Sequence, residues 1–291
     1  AMNSYGIMLK YGNGIPVNYE EAIKYFKMAS DNGHLEAMCN YAQMLEEGLG
    51  VEANIDEAIK IYKIAIEKGS DDALVALAIC MIHDKRNESN KNEAIKYLKM
   101  AVDKGSALAM RQYANVLYHG GFNIPSDKEA AAKLFKKSAD LGNVEGMYYY
   151  ALMAQEGRGI PVNKEEAEKY YRMAINKGYS KAMNDFAYIL QNGEGIKTDK
   201  KEAAKLYKMA ADKGNVDAMH FYANQLYDGD GIPADLNEAI KYYKMAIDNG
   251  NIDSMNNFAK MLYLGNGIDQ NKEEALRYLK LAADKGCANA M

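Results

Sequence analysis

The chain contains few of the residues that build disulfide frameworks or cysteine-based metal sites. Its 291 residues include no tryptophan, three cysteines, four prolines and four histidines. Cys39, Cys80 and Cys287 stand far apart and form no C-x-x-C pair, so neither a periodic disulfide framework nor a zinc motif is expected. Isolated thiols are typical of proteins in a reducing compartment, and the sequence therefore predicts a cytoplasmic location.

Long apolar runs and an excess of one charge are also absent. No stretch approaches the roughly 18 apolar residues of a membrane-spanning helix, and no signal-peptide pattern opens the chain. We therefore expect no direct membrane insertion. The 36 basic and 40 acidic residues are interspersed and give a net charge of −4. This balance argues against nucleic acid or an anionic membrane as the partner.

No combination of residues indicates catalysis. The four histidines have no partner at i+4 and no fixed carboxylate companion, which argues against a metal or catalytic site; they are His34, His83, His119 and His220. Acid pairs such as Glu20 and Glu21 fit the first turn of a helix, where they complement the dipole. The G-x-G triplets follow predicted helices rather than strands, so they indicate turns and not a phosphate loop. We expect no enzyme activity, no metal and no cofactor.

The dominant feature is a helix–loop–helix unit of about 36 residues. In residues 182–217, Met183, Phe186 and Leu190 form the apolar stripe of a first helix, helix A. A glycine-rich loop and a second amphipathic helix, helix B, follow. Eight copies span 1–36, 37–72, 73–108, 109–145, 146–181, 182–217, 218–253 and 254–289, and a ninth begins at 290. Such a period predicts one all-α solenoid over 1–291.

The ends of helix B carry regular signals. An Asn or Asp followed three residues later by Glu forms a capping box at the start of helix B in seven copies, Asn90 with Glu93 among them, and the fourth copy has Asp127 with Ala130. A glycine stands at one phase after each helix B, as a left-handed C-terminal cap requires. These glycines are Gly33, Gly69, Gly105, Gly142, Gly178, Gly214, Gly250 and Gly286.

Within helix B, small and bulky residues alternate at fixed places. Alanine stands eleven residues before each closing glycine, and alanine or Ser138 stands four before it. Small residues at fixed points allow neighbouring helices to approach closely. The bulky residues between them, such as Tyr170 and Tyr171, are therefore predicted to be core rather than an aromatic binding box.

Taken together, these motifs resemble a known repeat family. An aromatic residue precedes Gly or Ala in helix A, as in Tyr5-Gly6 and Phe186-Ala187. The loop G-x-G-(I/V), the segment E-A-x-x-Y-(Y/F)-x-x-A and the closing glycine follow. This pattern is similar to the Sel-one-like repeat (SLR), a longer-loop relative of the tetratricopeptide repeat. The resemblance implies a right-handed α-α superhelical solenoid. Secreted bacterial members carry paired cysteines in each repeat, which this chain lacks.

The resemblance also implies a class of function. Similar proteins are scaffolds and adaptors in protein quality control, signalling and cell-envelope regulation. The first hypothesis is a non-catalytic scaffold that binds a peptide or a partner protein in a concave groove. The alternative is an adaptor arm of an enzyme complex, such as a ubiquitin-ligase or quality-control assembly. Because both ends of the chain fall at the same phase of the repeat, the sequence also predicts a segment of a longer array.

A candidate binding face follows from helical geometry. Counted from the first residue of each copy, positions 3, 7 and 10 of helix A lie on one face, separate from the apolar stripe. The resemblance implies that this face lines the groove. The candidate residues are Asn3, Gln43, Val75, Ile79, Ile82, Arg111, Asn115, Tyr148, Asn184, Tyr188, His220, Asn224, Asn256 and Lys260.

Asparagine is frequent on this face, and its amide could pair with an extended peptide backbone. A neutral solvated face is the alternative. Under the binding hypothesis, changing Asn184 and Asn224 to Ala should leave stability nearly unchanged and weaken partner binding.

The third copy departs from the pattern because it lacks the G-x-G loop. Its helix A carries Val75, Ile79 and Ile82 on the candidate face and is apolar almost all round. We hypothesise a hydrophobic hot spot at these three residues, with Tyr118 and His119 as its rim. The alternative is that neighbouring parts of the chain cover them.

Overall fold

The computed structural model describes residues 1–84, 86 and 88–285. Gly286, Cys287 and the predicted ninth copy from Ala290 lie outside these residues. Sixteen α-helices are present in the described part. They are α1 (Met2–Tyr11), α2 (Tyr19–Asp31), α3 (Leu35–Glu47), α4 (Ile55–Glu67), α5 (Asp71–His83), α6 (Glu88–Asp103), α7 (Ala107–His119), α8 (Lys128–Asp140), α9 (Val144–Glu156), α10 (Lys164–Asn176), α11 (Ser180–Asn192), α12 (Lys200–Asp212), α13 (Val216–Asp228), α14 (Leu236–Asp248), α15 (Ile252–Leu264) and α16 (Lys272–Asp284).

The helices follow one another as eight consecutive A–B pairs, which confirms the all-α solenoid. They fall into two compact units. Unit 1 comprises residues 1–146 and 158–160, and within it each helix from α1 to α8 packs against the next. Unit 2 comprises residues 147–157 and 161–291, and α10 to α16 pack in the same serial way. That residues 1–291 form a single array remains a prediction.

The predicted caps of helix B are present with one exception. The side chains of Asn18, Asn54, Asn163, Asp199, Asp235 and Asn271 each accept a hydrogen bond from the backbone N–H three residues on, and so does that of Asp127. The prediction for Asn90 was wrong because α6 begins at Glu88 and places Asn90 inside the helix. Without the G-x-G loop, the third copy enters helix B three residues early, so its Asn90 cannot act as a cap.

The closing glycines and the small residues of helix B behave as predicted. Seven closing glycines, from Gly33 to Gly250, have φ between 82° and 93°. The alanines eleven residues before the closing glycines are fully buried, and the small residues four before them are buried as well. Tyr170 and Tyr171 are core residues, as the sequence predicted. Alanine at these two points therefore marks the contacts that hold consecutive helices together.

The second glycine of the loop joins one repeat to the one before it. A Cβ at Gly231 would lie 2.5 Å from the carbonyl oxygen of Lys200, the first residue of α12. Gly50 and Gly159 of the second and fifth repeats approach the backbone of the first residue of the preceding helix B in the same way. Gly195 and Gly267 of the sixth and eighth repeats approach the side chain of that residue instead. Glycine is therefore needed where this loop meets the backbone of the preceding helix.

The third repeat makes the same connection with charges. Arg86 stands where other repeats have the second glycine, and its guanidinium donates to Asp84 at 2.9 and 3.1 Å and to Asp56 at 3.0 Å. Asp56 lies in the first turn of α4, the preceding helix B. Bonding to Arg86 lowers the pKa of the Asp84 carboxyl. In the third repeat, an ion-pair cluster thus replaces the close contact that the G-x-G loop makes with the preceding helix in other repeats.

Candidate functional site

Unit 2 carries a groove along its A helices α9, α11, α13 and α15, which we name the A-helix groove. It consists of two cavities of about 750 and 450 Å³ that share Tyr188 and Phe221 as lining residues. The larger cavity extends toward Leu152 of α9, and the smaller one toward Lys260 of α15. The groove is therefore a surface to which four consecutive repeats contribute.

Position 7 of helix A lines this groove, as the sequence analysis predicted. Leu152, Tyr188, Asn224 and Lys260 occupy position 7 in the four repeats of unit 2, and all four belong to the lining. Tyr188 has 44% of its surface exposed. Position 7 therefore supplies both apolar and polar contact surface to the groove.

Position 3, in contrast, lies inside the stack. Asn3 accepts a hydrogen bond from Asn40 of the next repeat at 2.9 Å, and the hydroxyl of Tyr148 donates to Asp185 of the next repeat at 2.7 Å. Six position-3 residues named above as partner-binding are buried; they are Asn3, Val75, Tyr148, Asn184, His220 and Asn256. Their prediction as free surface was wrong because position 3 faces the next helix A. Of these six, Asn184 still lines the larger cavity.

The hot spot predicted in the third repeat loses one of its three residues. Val75 is at position 3 and retains only 4% exposure, so it cannot meet a partner. Ile79 and Ile82 are half-buried and pack against the core of unit 1. Tyr118 is half-buried and His119 is exposed. The alternative, that neighbouring parts of the chain cover these side chains, therefore holds for Val75, and contact of Ile79 and Ile82 with a partner stays a prediction.

The other candidate residues of unit 1 are engaged in polar contacts or half-buried. Gln43 accepts from Lys10 of the preceding repeat at 2.9 Å and donates to Glu47 at 2.7 Å. Arg111 pairs with Glu145 at 2.8 Å. Asn115 is half-buried. These side chains connect repeats or stay at the surface, and they do not belong to the A-helix groove of unit 2.

Asn224 is the centre of a hydrogen-bond network at the smaller cavity. Its Oδ1 accepts from the Tyr243 hydroxyl at 2.6 Å and from Asn257 at 2.9 Å. Its amide nitrogen lies 3.0 Å from Nε2 of His220, whose Nδ1 lies 2.8 Å from the Ser254 hydroxyl. Because an amide nitrogen can only donate, Nε2 accepts and Nδ1 carries the proton. Replacing Asn224 by Ala would break this network, which corrects the expectation of unchanged stability.

This network gives the stability of unit 2 a pH dependence. Burial lowers the pKa of His220, and the charges of Asp253 and Asp217 oppose that shift only in part. Below about pH 6.5 the unfolded chain therefore binds a proton at His220 more readily than the folded chain does. The free energy of unfolding falls as the pH drops through this value. We expect wild-type stability to fall between pH 7.5 and pH 5.5 by more than that of His220→Asn.

Asparagine is the control because it occurs at this position in the sixth and eighth repeats, as Asn184 and Asn256. Urea denaturation of both proteins at the two pH values provides the measurement. An equal loss of stability in wild type and His220→Asn would contradict the assignment of this pH dependence to His220.

Comparison with known proteins agrees with this repeat architecture. A family model described as the Sel1 repeat matches residues 1–34, 35–70, 72–106, 107–143, 144–179, 180–215, 216–251 and 252–287. The chain belongs to the Sel1 repeat family. A search among curated proteins found no match.

Solved structures of Sel1 repeat proteins have the same fold. One is a protective antigen of uropathogenic Escherichia coli strains with an SLR fold, which is 22% identical over 99% of this chain, with a TM-score of 0.79. The chain spans 62% of that protein's length. A Sel1 repeat protein from Oxalobacter formigenes is 24% identical over 99% of this chain and 84% of its own, with a TM-score of 0.75. Beyond these Sel1 repeat proteins, the solved structure of yeast Tom70 is 19% identical over 97% of this chain and 60% of its own, with a TM-score of 0.52.

Several groove residues of this Sel1 repeat chain were missed by the sequence analysis. Position 4 supplies Asp185, Phe221 and Asn257 to the lining, and position 11 supplies Asn192 and Asp228. Position 4 is Ser, Asn, Ala, Gln, Tyr, Asp, Phe and Asn in successive repeats, but position 3 varies as widely and is mostly buried. Variability in the sequence therefore gave no signal that separates the two positions.

Within the part of the chain that the structure describes, no three His, Cys, Asp or Glu side chains are arranged to hold a metal ion. No described helix of this Sel1 repeat chain is both long and apolar enough to cross a membrane. The A-helix groove is therefore the surface on which a functional proposal can be based.

Proposed function

We propose that this Sel1 repeat chain is a non-catalytic protein-interaction scaffold that binds an extended segment of a partner protein in the A-helix groove. The observation that carries the proposal is the continuity of the two cavities through Tyr188 and Phe221. A groove crossed by four helices offers contact sites at regular intervals, which suits an extended chain more than a compact ligand.

The lining has the mixed chemistry of a protein-binding surface. Tyr188 and Phe221 provide apolar contact area, since large aromatic side chains contribute much of the energy at protein interfaces. Amides such as Gln191 and Asn192 lie beside them and can pair with a peptide backbone. The groove thus combines an apolar centre with polar surroundings, as interfaces commonly do.

The charge of the groove supports protein over nucleic acid as the partner. Its lining contains four carboxylates and two ammonium groups; the acids are Glu156, Asp185, Glu194 and Asp228, and the bases are Lys164 and Lys260. Nucleic-acid binding depends on basic side chains that neutralise phosphates. A net negative groove would repel a phosphate backbone.

Replacing Tyr188 by Ala tests this proposal. Random twelve-residue peptides displayed on phage are selected against the chain, and the affinities of synthetic versions are measured by fluorescence anisotropy. We expect Tyr188→Ala to weaken the selected peptides at least about tenfold, as loss of a central aromatic contact does.

Leu276→Ala is the matched control because Leu276 is also apolar, is 61% exposed, and lies on α16 outside the groove. It should leave peptide affinity unchanged. Thermal unfolding followed by circular dichroism verifies that both variants fold. Peptides that bind the Tyr188→Ala variant as tightly as the wild type would contradict the proposed site.

A further inference from the structure

The larger cavity of the A-helix groove carries an excess of negative charge. Glu156, Asp185 and Glu194 line it, and Lys164 is the basic residue that faces them there. Three carboxylates against one ammonium leave two negative charges in excess. In agreement with this cluster, burial raises the pKa of Tyr171 in the same lining, and the charges of these three carboxylates raise it further.

Three side chains of this lining donate hydrogen bonds within the chain. The ammonium of Lys164 donates to the carbonyl oxygen of Gln155 at 2.8 Å, and the side-chain amide of Gln155 donates to the carbonyl oxygen of Glu194 at 3.0 Å. The amide nitrogen of Asn184 donates to Asp185 at 3.0 Å. The lining also contains acceptors, namely the carboxylates of Glu156, Asp185 and Glu194 and the Oδ1 of Asn184.

One of these acceptors is buried without a partner. Asn184 lines the cavity and has 9% of its surface exposed. Its Oδ1 has no hydrogen-bond partner among the described residues. Because this atom has almost no accessible surface, the recognition of a ligand falls to the neighbouring Asp185. Asp185 accepts from Tyr148 and Asn184 and retains further lone pairs.

Aromatic rings complete the surroundings. Tyr188 and Phe221 line the same cavity, and their ring centroids are 6.3 Å apart. An aromatic face attracts a cation, and a planar guanidinium can stack on it. Carboxylates and aromatic rings that line one cavity are the complement of a group that only donates, is positively charged and is flat.

We infer that the larger cavity is a subsite for an arginine side chain of the bound segment, recognised by Asp185 and by the rings of Tyr188 and Phe221. This inference rests on the proposed function and names the chemistry of the partner. Arginine fits better than lysine because its guanidinium presents five N–H donors in a plane and no acceptor. A cavity of about 750 Å³ is large enough for that side chain together with the neighbouring backbone.

Citrulline provides the sharpest probe because it has nearly the shape of arginine and no charge. Arginine should be enriched over lysine and over acidic residues among the peptides selected in the experiment above. The tightest peptide is then resynthesised with citrulline in place of arginine. We expect the affinity of wild type for the citrulline peptide to be at least about tenfold lower, since a desolvated charge pair is lost. In Asp185→Asn the two peptides should bind with nearly equal affinity.

Two further variants keep the test decisive. Asp185→Asn could disturb the bond from Tyr148, so Glu194→Gln is measured beside it; Glu194 is exposed, and its charge lies in the same cavity. We expect Glu194→Gln to reduce the preference for arginine over citrulline about threefold. Asp269→Asn removes an exposed carboxylate of unit 2 that is not part of the cavity lining, and it should leave the preference unchanged.

The outcomes distinguish the arginine subsite from the proposed scaffold function on which it rests. Peptides that depend on Tyr188 but show no preference for arginine over citrulline would overturn the arginine subsite and leave the proposed function standing. Selected peptides that do not depend on Tyr188 would overturn both. A preference for arginine that persists undiminished in Asp185→Asn and Glu194→Gln would also refute the subsite, because the charge would then be recognised elsewhere.

Discussion

Replacing Gly231 by Ala is expected to destabilise the chain by about 1–3 kcal/mol more than replacing Gly214 by Ala. Both glycines have a left-handed backbone, with φ of 81° and 85°, so both substitutions share a strain of about 1–2 kcal/mol. They differ in their surroundings. A Cβ at Gly231 would lie 2.5 Å from the carbonyl oxygen of Lys200, and one at Gly214 meets nothing within 4 Å. The additional loss of stability in Gly231→Ala therefore measures the contact between consecutive repeats.

The measurement is urea unfolding of wild type and the two variants, followed by circular dichroism. Because each repeat of a solenoid contacts only its neighbours, the loss should be concentrated where the sixth and seventh repeats meet. Hydrogen exchange should then be faster in α12 and α13 of Gly231→Ala than in the same helices of Gly214→Ala. Equal unfolding midpoints for the two variants would show that the loop can move away from Lys200 without loss.

Replacing Gln225 by Met should stabilise the chain by about 1–3 kcal/mol, which is the usual penalty for a buried amide without partners. Gln225 is 1% exposed, and neither its Nε2 nor its Oε1 has a hydrogen-bond partner among the described residues. It occupies position 8 of helix A. The other seven repeats have apolar residues or cysteine there, namely Met8, Met44, Cys80, Val116, Met153, Ile189 and Met261. Methionine has a similar length and volume, so the change removes the polar atoms without leaving a cavity.

The control is Gln112→Met, which makes the same chemical change at a half-buried position of α7. It should change stability by less than about 0.5 kcal/mol, because its amide can reach solvent. Urea midpoints of the two variants and wild type provide the comparison. Destabilisation by Gln225→Met would mean that the amide does have partners, such as a buried water molecule, and would refute the explanation.

The sequence predicted most of the fold because the relevant signals are local. The capping side chain of Asn18 and the left-handed Gly33 act within a few residues of the chain, so their roles can be inferred without knowledge of tertiary structure. Ala203 and Ala210 could be recognised as close-contact residues of helix B because small residues recur at these two positions in every repeat. Asn90 failed as a cap because the preceding loop is anchored by Arg86, an interaction with the previous repeat.

The candidate site was predicted only in part. Tyr188 and Lys260 at position 7 line the groove, whereas Asn256 at position 3 is buried in the stack of helices. A helical wheel divides one helix into faces, but it does not tell on which side the next helix A will pack. Asp185 and Phe221 at position 4 were missed for this reason.

The sequence by itself determined the number of repeats, the ends of nearly every helix B and the residues at its closest contacts. These properties depend on local backbone preferences and on a pattern repeated eight times. Only the tertiary structure decided which polar side chains hold the stack together and which line the groove. Asn184 and Asp185 are adjacent in sequence, yet one is buried and the other is partly open to the groove. The packing angle between successive A helices makes that distinction, and it arises only when the repeats assemble.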